Sequence, residues 1–121
     1  MHTISDRLTI EEHNAKSIII VNYTGLKESE MIELVNRHLE LTCQAKLPFL
    51  ADFQNTYVTP GYMVHARKFV EATKGIIDKG ALLGVDRIKS FILKGVILMY
   101  GVNFKPFENK DQAIKFLTAE D

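Results

Sequence analysis

One cysteine, no excess of either charge and no long apolar run mark this 121-residue chain, and each absence removes a class of protein. Cys43 has no second cysteine to pair with, so disulfide-stapled scaffolds are excluded and a reducing cytoplasm fits. Fifteen basic residues cancel fifteen acidic ones, leaving no overall field to draw the chain onto nucleic acid or anionic lipid. The N-terminal MHTISDRLTI has neither the apolar core of a signal peptide nor the ~20 apolar residues of a membrane span. Repeats, linkers and low-complexity tracts are lacking too. The expectation is a soluble cytoplasmic chain with residues 1–121 in one domain, its 46% hydrophobic content enough for one continuous core.

Chemistry is equally sparse. His2, His13, His38 and His65 are scattered, and no H-x-x-x-H pair or Cys/His cluster has metal-ligand spacing. KGALLGVD carries glycines without the pattern that cradles a phosphate, and G-x-x-x-x-G-K-[ST] is missing. Cys43, with no base assigned to it, reads as a small buried residue rather than a nucleophile. No catalytic residue, metal or cofactor is expected.

What the chain does have is a regular alternation of apolar patterns. DRLTIEE, turn-like HNAK and the β-branched SIIIVNYTG read as a hairpin whose second strand is central. From Glu28 to Ala45, Met31, Leu34, Val35, Leu39, Leu41 and Ala45 recur near helical spacing among charged residues, giving an amphipathic helix stopped before Pro48. PFLADF is a short buried strand. Thr59 and Pro60 then supply an N-cap and a first-turn proline to a helix with Tyr62, Met63, Ala66, Phe69, Val70 and Thr73 on one side. GALLGV reads as a strand, RIKSFILKGVILMY as a helix closed by Gly101, and VNFKPF as a last strand; Asn109 with Gln112 opens the final helix. The order β-β-α-β-α-β-α-β-α predicts an α/β domain. Its sheet has four or five mainly parallel strands, an N-terminal antiparallel hairpin and about four flanking helices joined by right-handed crossovers.

IIIVNYTG before an acidic helix, a strand ending in Asp52, KGALLGVD, and KPFENKDQAIKFL near the C-terminus occur in an order that resembles the STAS-like domains. These are the fold of bacterial anti-sigma-factor antagonists, and the likeness is strongest to small stand-alone relatives grouped with the CRAL-TRIO lipid-transfer fold. It runs from about Ser17 to Leu117. The resemblance implies a regulatory domain with no catalytic activity as a class property. In the antagonists a serine at the start of a helix, just after a strand that ends in an acidic residue, is phosphorylated by a partner kinase. Here Thr59 stands closest to that serine, followed by Pro60 where the family carries a second small hydroxyl residue. For the relatives near the lipid-transfer fold, the implied roles are binding an apolar ligand or touching a membrane.

Two regions are candidate sites. In open parallel sheets ligands sit beyond the carboxyl ends of strands, so Asp52, Gln54, Asn55, Thr56 and Thr59 offer polar contacts beside a helix N-terminus. The competing reading is that Asn55 and Thr56 only turn the chain and Thr59 only caps a helix. The second region is the third helix, apolar nearly all round. Ile88, Ile92, Val96 and Met99 are expected to fill its inward stripe, leaving Leu93, Ile97 and Tyr100 on the other side. Their cover stays open between the rest of the chain, a second copy in a homodimer, a membrane surface, and an apolar molecule in a cleft lined by Phe91, Leu98 and Tyr100. The leading functional reading is a non-enzymatic regulatory domain that binds an unidentified protein partner through the Asp52 to Thr59 loop and the helix after Pro60, with phosphorylation expected at Thr59 or Thr56. The alternative is a carrier or sensor of an apolar, lipid-like ligand.

Overall fold

In the computed structural model, which describes residues 4–120, a single 3-10 turn, Ile4–Arg7, leads into a hairpin of β1 (Leu8–His13) and β2 (Lys16–Asn22). The hairpin closes over two residues, Asn14 and Ala15, both left-handed with φ of 53° and 65°. That is the type I′ geometry whose twist matches paired strands. β3 (Phe49–Asp52), β4 (Gly80–Leu83) and β5 (Phe104–Phe107) add in parallel, giving the order β1-β2-β3-β4-β5.

Because each crossover steps to the next strand in the same direction and has the same hand, its helices fall on one face. α1 (Glu28–Ala45), α2 (Pro60–Thr73) and α3 (Arg87–Tyr100) share a core with Ile19, Val21, Phe49, Ala51 and Phe104. α4 (Lys110–Thr118) alone covers the opposite face, where Ile18, Leu50, Ala81 and Leu83 meet Ala113, Ile114 and Leu117. Alternate residues of β2 and β3 therefore point to opposite cores, which is why SIIIV and FLA read as continuous apolar runs.

The helix ends follow local chemistry. Thr59, Asp86 and Asn109 accept N-cap bonds from Tyr62, Lys89 and Gln112, while α1 and α3 stop at left-handed Lys46 and Gly101. Cys43 departs from expectation. His38 and Thr42, four residues apart, carry the inward face of α1, so the next position turns out and Cys43 is exposed.

The third helix is also rotated from the expected phase. Leu93 is buried, and Ile97 and Tyr100 pack against the core, whereas Ile88 and Met99 face solvent, 74% and 70% exposed. Lys89 accounts for the rotation: its ammonium reaches inward to the carbonyls of Phe53 at 2.8 Å and Gly84 at 3.0 Å. Residues 93, 96 and 100, on the same helical face as 89, follow it in. Leu93→Ala is accordingly expected to cost about 2–5 kcal/mol in urea denaturation, and Leu98→Ala within about 0.5 kcal/mol. Equal losses would count against this orientation.

Candidate functional site

The loop after β3 is built mostly by its own side chains. Asp52 Oδ1 accepts from the Gln54 amide at 3.0 Å, and Asn55 is left-handed with φ 53°, so the chain reverses immediately beyond the strand. Thr56 is buried and donates to the Leu26 carbonyl at 3.0 Å, pinning the loop to the segment that precedes α1. From the other side β4 is followed by Gly84, with φ +72°, where a Cβ would lie 2.5 Å from the Gln54 nitrogen. The loop is thus held between two backbones, leaving Gln54, Asn55 and Tyr57 on the surface, Tyr57 at 87% exposure.

At the start of α2 the free N–H groups and partial positive charge that favour an anion already have one of the chain's own. The Thr59 hydroxyl accepts from the Tyr62 amide at 3.2 Å and donates to the Glu28 carboxylate. Gly61 leaves room for that carboxylate, since a Cβ there would meet Glu28 Oε2 at 2.7 Å. Glu28 opens α1, so this pair joins the starts of two helices. Thr59→Ala is expected to cost about 1 kcal/mol by thermal or urea unfolding and Thr59→Ser much less, because serine keeps the cap.

α3 presents two different sides. Its outer face shows Ile88, Phe91, Leu98 and Met99, with Phe91 and Leu98 at 81% and 89% exposure and Arg87 and Lys94 along one edge. Phe91 and Leu98 therefore form a surface patch and do not line the space beneath the helix, and the Tyr100 ring lies 6.0 Å from the Lys74 ammonium. That space is a cavity of about 100 Å³ among α1, α2, α3 and the sheet, walled by residues that include Phe49, Tyr62, Phe69 and Leu93. His38 of α1 also lines it, its ring 4.4 Å from Phe69 and 5.1 Å from Phe49 between centroids. Burial lowers the His38 imidazole pKa to about 3, so it is neutral at ordinary pH. Tyr23 and Tyr62 meet edge to face in the same wall, 5.5 Å between ring centroids, and burial raises both phenols above their usual range.

The remaining ionisable groups lie apart. His13 and Lys110 both meet Glu11 Oε1, at 2.9 and 3.0 Å, on the hairpin side; His65 faces Asn36; His2 lies outside the described residues. Among the described residues, no three His, Cys, Asp or Glu side chains gather as a metal would need, and no helix is long and apolar enough to cross a membrane. The loop and α3 are joined by the Lys89 bond to Phe53, which brings Tyr57, Ile88 and Phe91 to one end of the sheet. Sequence reasoning missed Glu28, which acts on Thr59 from 31 residues away, and the inward roles of Lys89 and His38. Only the helical placement of His38 on the line of Leu34 and Thr42 hinted at its burial.

No family model matches the chain, and no curated protein matches it. Solved structures do. A protein of the DUF3478 family from Shewanella loihica, with a SpoIIAA-like fold, is 17% identical over 91% of each chain, with a TM-score of 0.73. An anti-sigma-factor antagonist (STAS) domain protein from Planctomyces limnophilus is 13% identical over 93% of this chain and 98% of its own, with a TM-score of 0.62. The chain has this SpoIIAA-like fold, with a five-stranded sheet, one antiparallel hairpin and four α-helices among the described residues.

Proposed function

We propose that the chain is a non-enzymatic regulatory domain that binds a protein partner at the carboxyl end of its sheet. The contact surface is the Asp52 to Thr59 loop, the start of α2 and the adjoining outer face of α3. The carrying observation is the exposure of Ile88, Phe91, Leu98 and Met99 on one side of a single helix. Covering such side chains contributes on the order of 1.5–3 kcal/mol each, and exposed apolar patches of this kind mark interaction surfaces. A regulatory role is supported by the antagonist domain of the same fold.

Thr59 is the proposed point of regulation. A phosphate on its oxygen would stand against the Glu28 carboxylate and displace the hydroxyl from the Tyr62 amide, loosening the joint between α1 and α2. A phosphate mapped to Thr59 in protein isolated from its own cells supports this; a residue unmodified under all growth conditions leaves it a cap alone.

The partner surface is tested by photo-crosslinking in cells from positions 57 and 91, with position 115 on α4 as control. One discrete protein adduct is expected, lost when Phe91→Ser and Leu98→Ser are combined. An adduct of twice the chain's own mass would assign the face to a second copy instead, and equal adducts from the control position would remove the proposal.

A further inference from the structure

Gly95 sits in the middle of α3, and nothing inside the domain asks for a glycine there. A Cβ at this position would meet nothing within 4 Å, so no neighbouring element needs a bare backbone. Alanine would favour the helix more, and the glycine is therefore a loss that the free chain carries. It lies in line with the exposed apolar residues of the same helix. Ile88, Phe91, Gly95 and Leu98 follow one another at steps of three, four and three. That is the spacing of the a and d positions along a seam between paired helices, with Gly95 at an a position. Lys89, Leu93, Val96 and Tyr100, at the b and f positions, face the core, so the seam points away from the domain. A bare a position between Phe91 and Leu98 is a hole for a side chain of a facing helix.

Charge narrows the class of that helix. Arg87 and Lys94, seven residues apart, both stand at g, an edge where charges on paired helices meet. Both are exposed, and among the described residues neither has an ion pair or a hydrogen bond. Ile92 and Met99, at e, bring no carboxylate to the other edge. A second copy is a poor occupant for this reason. Antiparallel pairing would set cation against cation along the two g edges, and parallel pairing would set the cations against the apolar e edge. An anionic membrane would satisfy the cations, but a bilayer surface gains nothing from a hole at the centre of the seam.

We propose that the outer face of α3 pairs with an acidic amphipathic helix of a partner protein. That helix carries large apolar residues at its own a and d positions, one of them seated over Gly95, and carboxylates seven residues apart opposite Arg87 and Lys94. The inference rests on the partner surface proposed above and names what occupies it.

The probe is a synthetic helical peptide with leucine at a and d and glutamate at e and g, set against its counterpart with lysine at e and g. Each is titrated into the whole chain and followed by amide chemical shifts. The glutamate peptide is expected to give saturable shifts centred on Phe91, Gly95 and Leu98, binding about tenfold or more tighter than the lysine peptide. Arg87→Glu combined with Lys94→Glu should reverse the preference. Gly95→Gln should weaken the glutamate peptide about tenfold while raising the melting temperature of the free chain, because glutamine suits an open helical position better than glycine. Equal binding of the two peptides, no saturable shift with either, or undiminished binding by Gly95→Gln would each overturn the pairing. The same shifts on raising the protein concentration alone, or with phosphatidylglycerol vesicles in place of peptide, would hand the face to a second copy or a membrane and overturn it too. If positions 57 and 91 still crosslink to one protein in cells, such a result removes the acidic helix and leaves the partner surface; if they do not, both fall.

Discussion

Acidifying the protein from about pH 7.5 to about pH 5 is expected to lower its unfolding free energy by about 2 kcal/mol through one side chain, His38. The ring is held near pKa 3 by burial, against an ordinary value of 6.5. Below 6.5 the unfolded chain takes up a proton that the folded chain refuses, so stability is full above that pH and falls steadily towards pH 3. Nothing facing the ring offsets this. Its neighbours are Phe49 and Phe69, and the cavity's remaining ionisable groups are the buried phenols Tyr23 and Tyr62 and the carbonyl-bound Lys89. Glu11, held below the usual carboxylate range by hydrogen bonds from His13 and Lys110, adds a loss of the same sign only below its ordinary 4.5. Urea titrations of the wild type and His38→Leu at both pH values separate the contributions. The variant should lack the extra loss, and identical pH dependence in the two proteins would place His38 outside the core.

The second large effect is expected at Gly84. Alanine there must adopt a left-handed backbone, costing roughly 1–2 kcal/mol, and its methyl would meet the Gln54 backbone at 2.5 Å. A backbone cannot swing aside as a side-chain end can, so overpacking adds about 1–3 kcal/mol. Gly84→Ala should therefore lose about 2–5 kcal/mol in denaturation and shift the amide resonances of residues 54–59, while those of α4 on the far face stay in place. A loss of stability without movement of the loop would mean that Gly84 serves only the end of β4. The distinction bears on function, because the loop that Gly84 and Thr56 hold is half of the proposed partner surface.

Much of the candidate site was legible in one dimension, but not its wiring. Thr59 followed by Pro60 marks an N-cap in any fold, and the structure has Thr59 in that role. That Glu28 would share the Thr59 hydroxyl depends on α1 and α2 packing side by side with their starts together, which no local pattern encodes. Thr56 looks like a polar surface residue in sequence, yet its hydroxyl is buried on the Leu26 carbonyl. Cys43 is the reverse case, a residue type usually found inside that lies one step off the buried line of His38 and Thr42.

By itself the sequence determined the elements and their order. The β-branched runs, the apolar spacing from Glu28 to Ala45 and the caps at Thr59 and Asn109 are local signals, and the parallel α/β sheet follows from their alternation. Tertiary structure decided which way α3 faces. Its fourteen residues are apolar nearly all round, so hydrophobic periodicity has almost no contrast from which to choose an inward side. The choice falls to the reach of one lysine to two distant carbonyls, and with it which residues meet a partner and which cover the cavity beside His38.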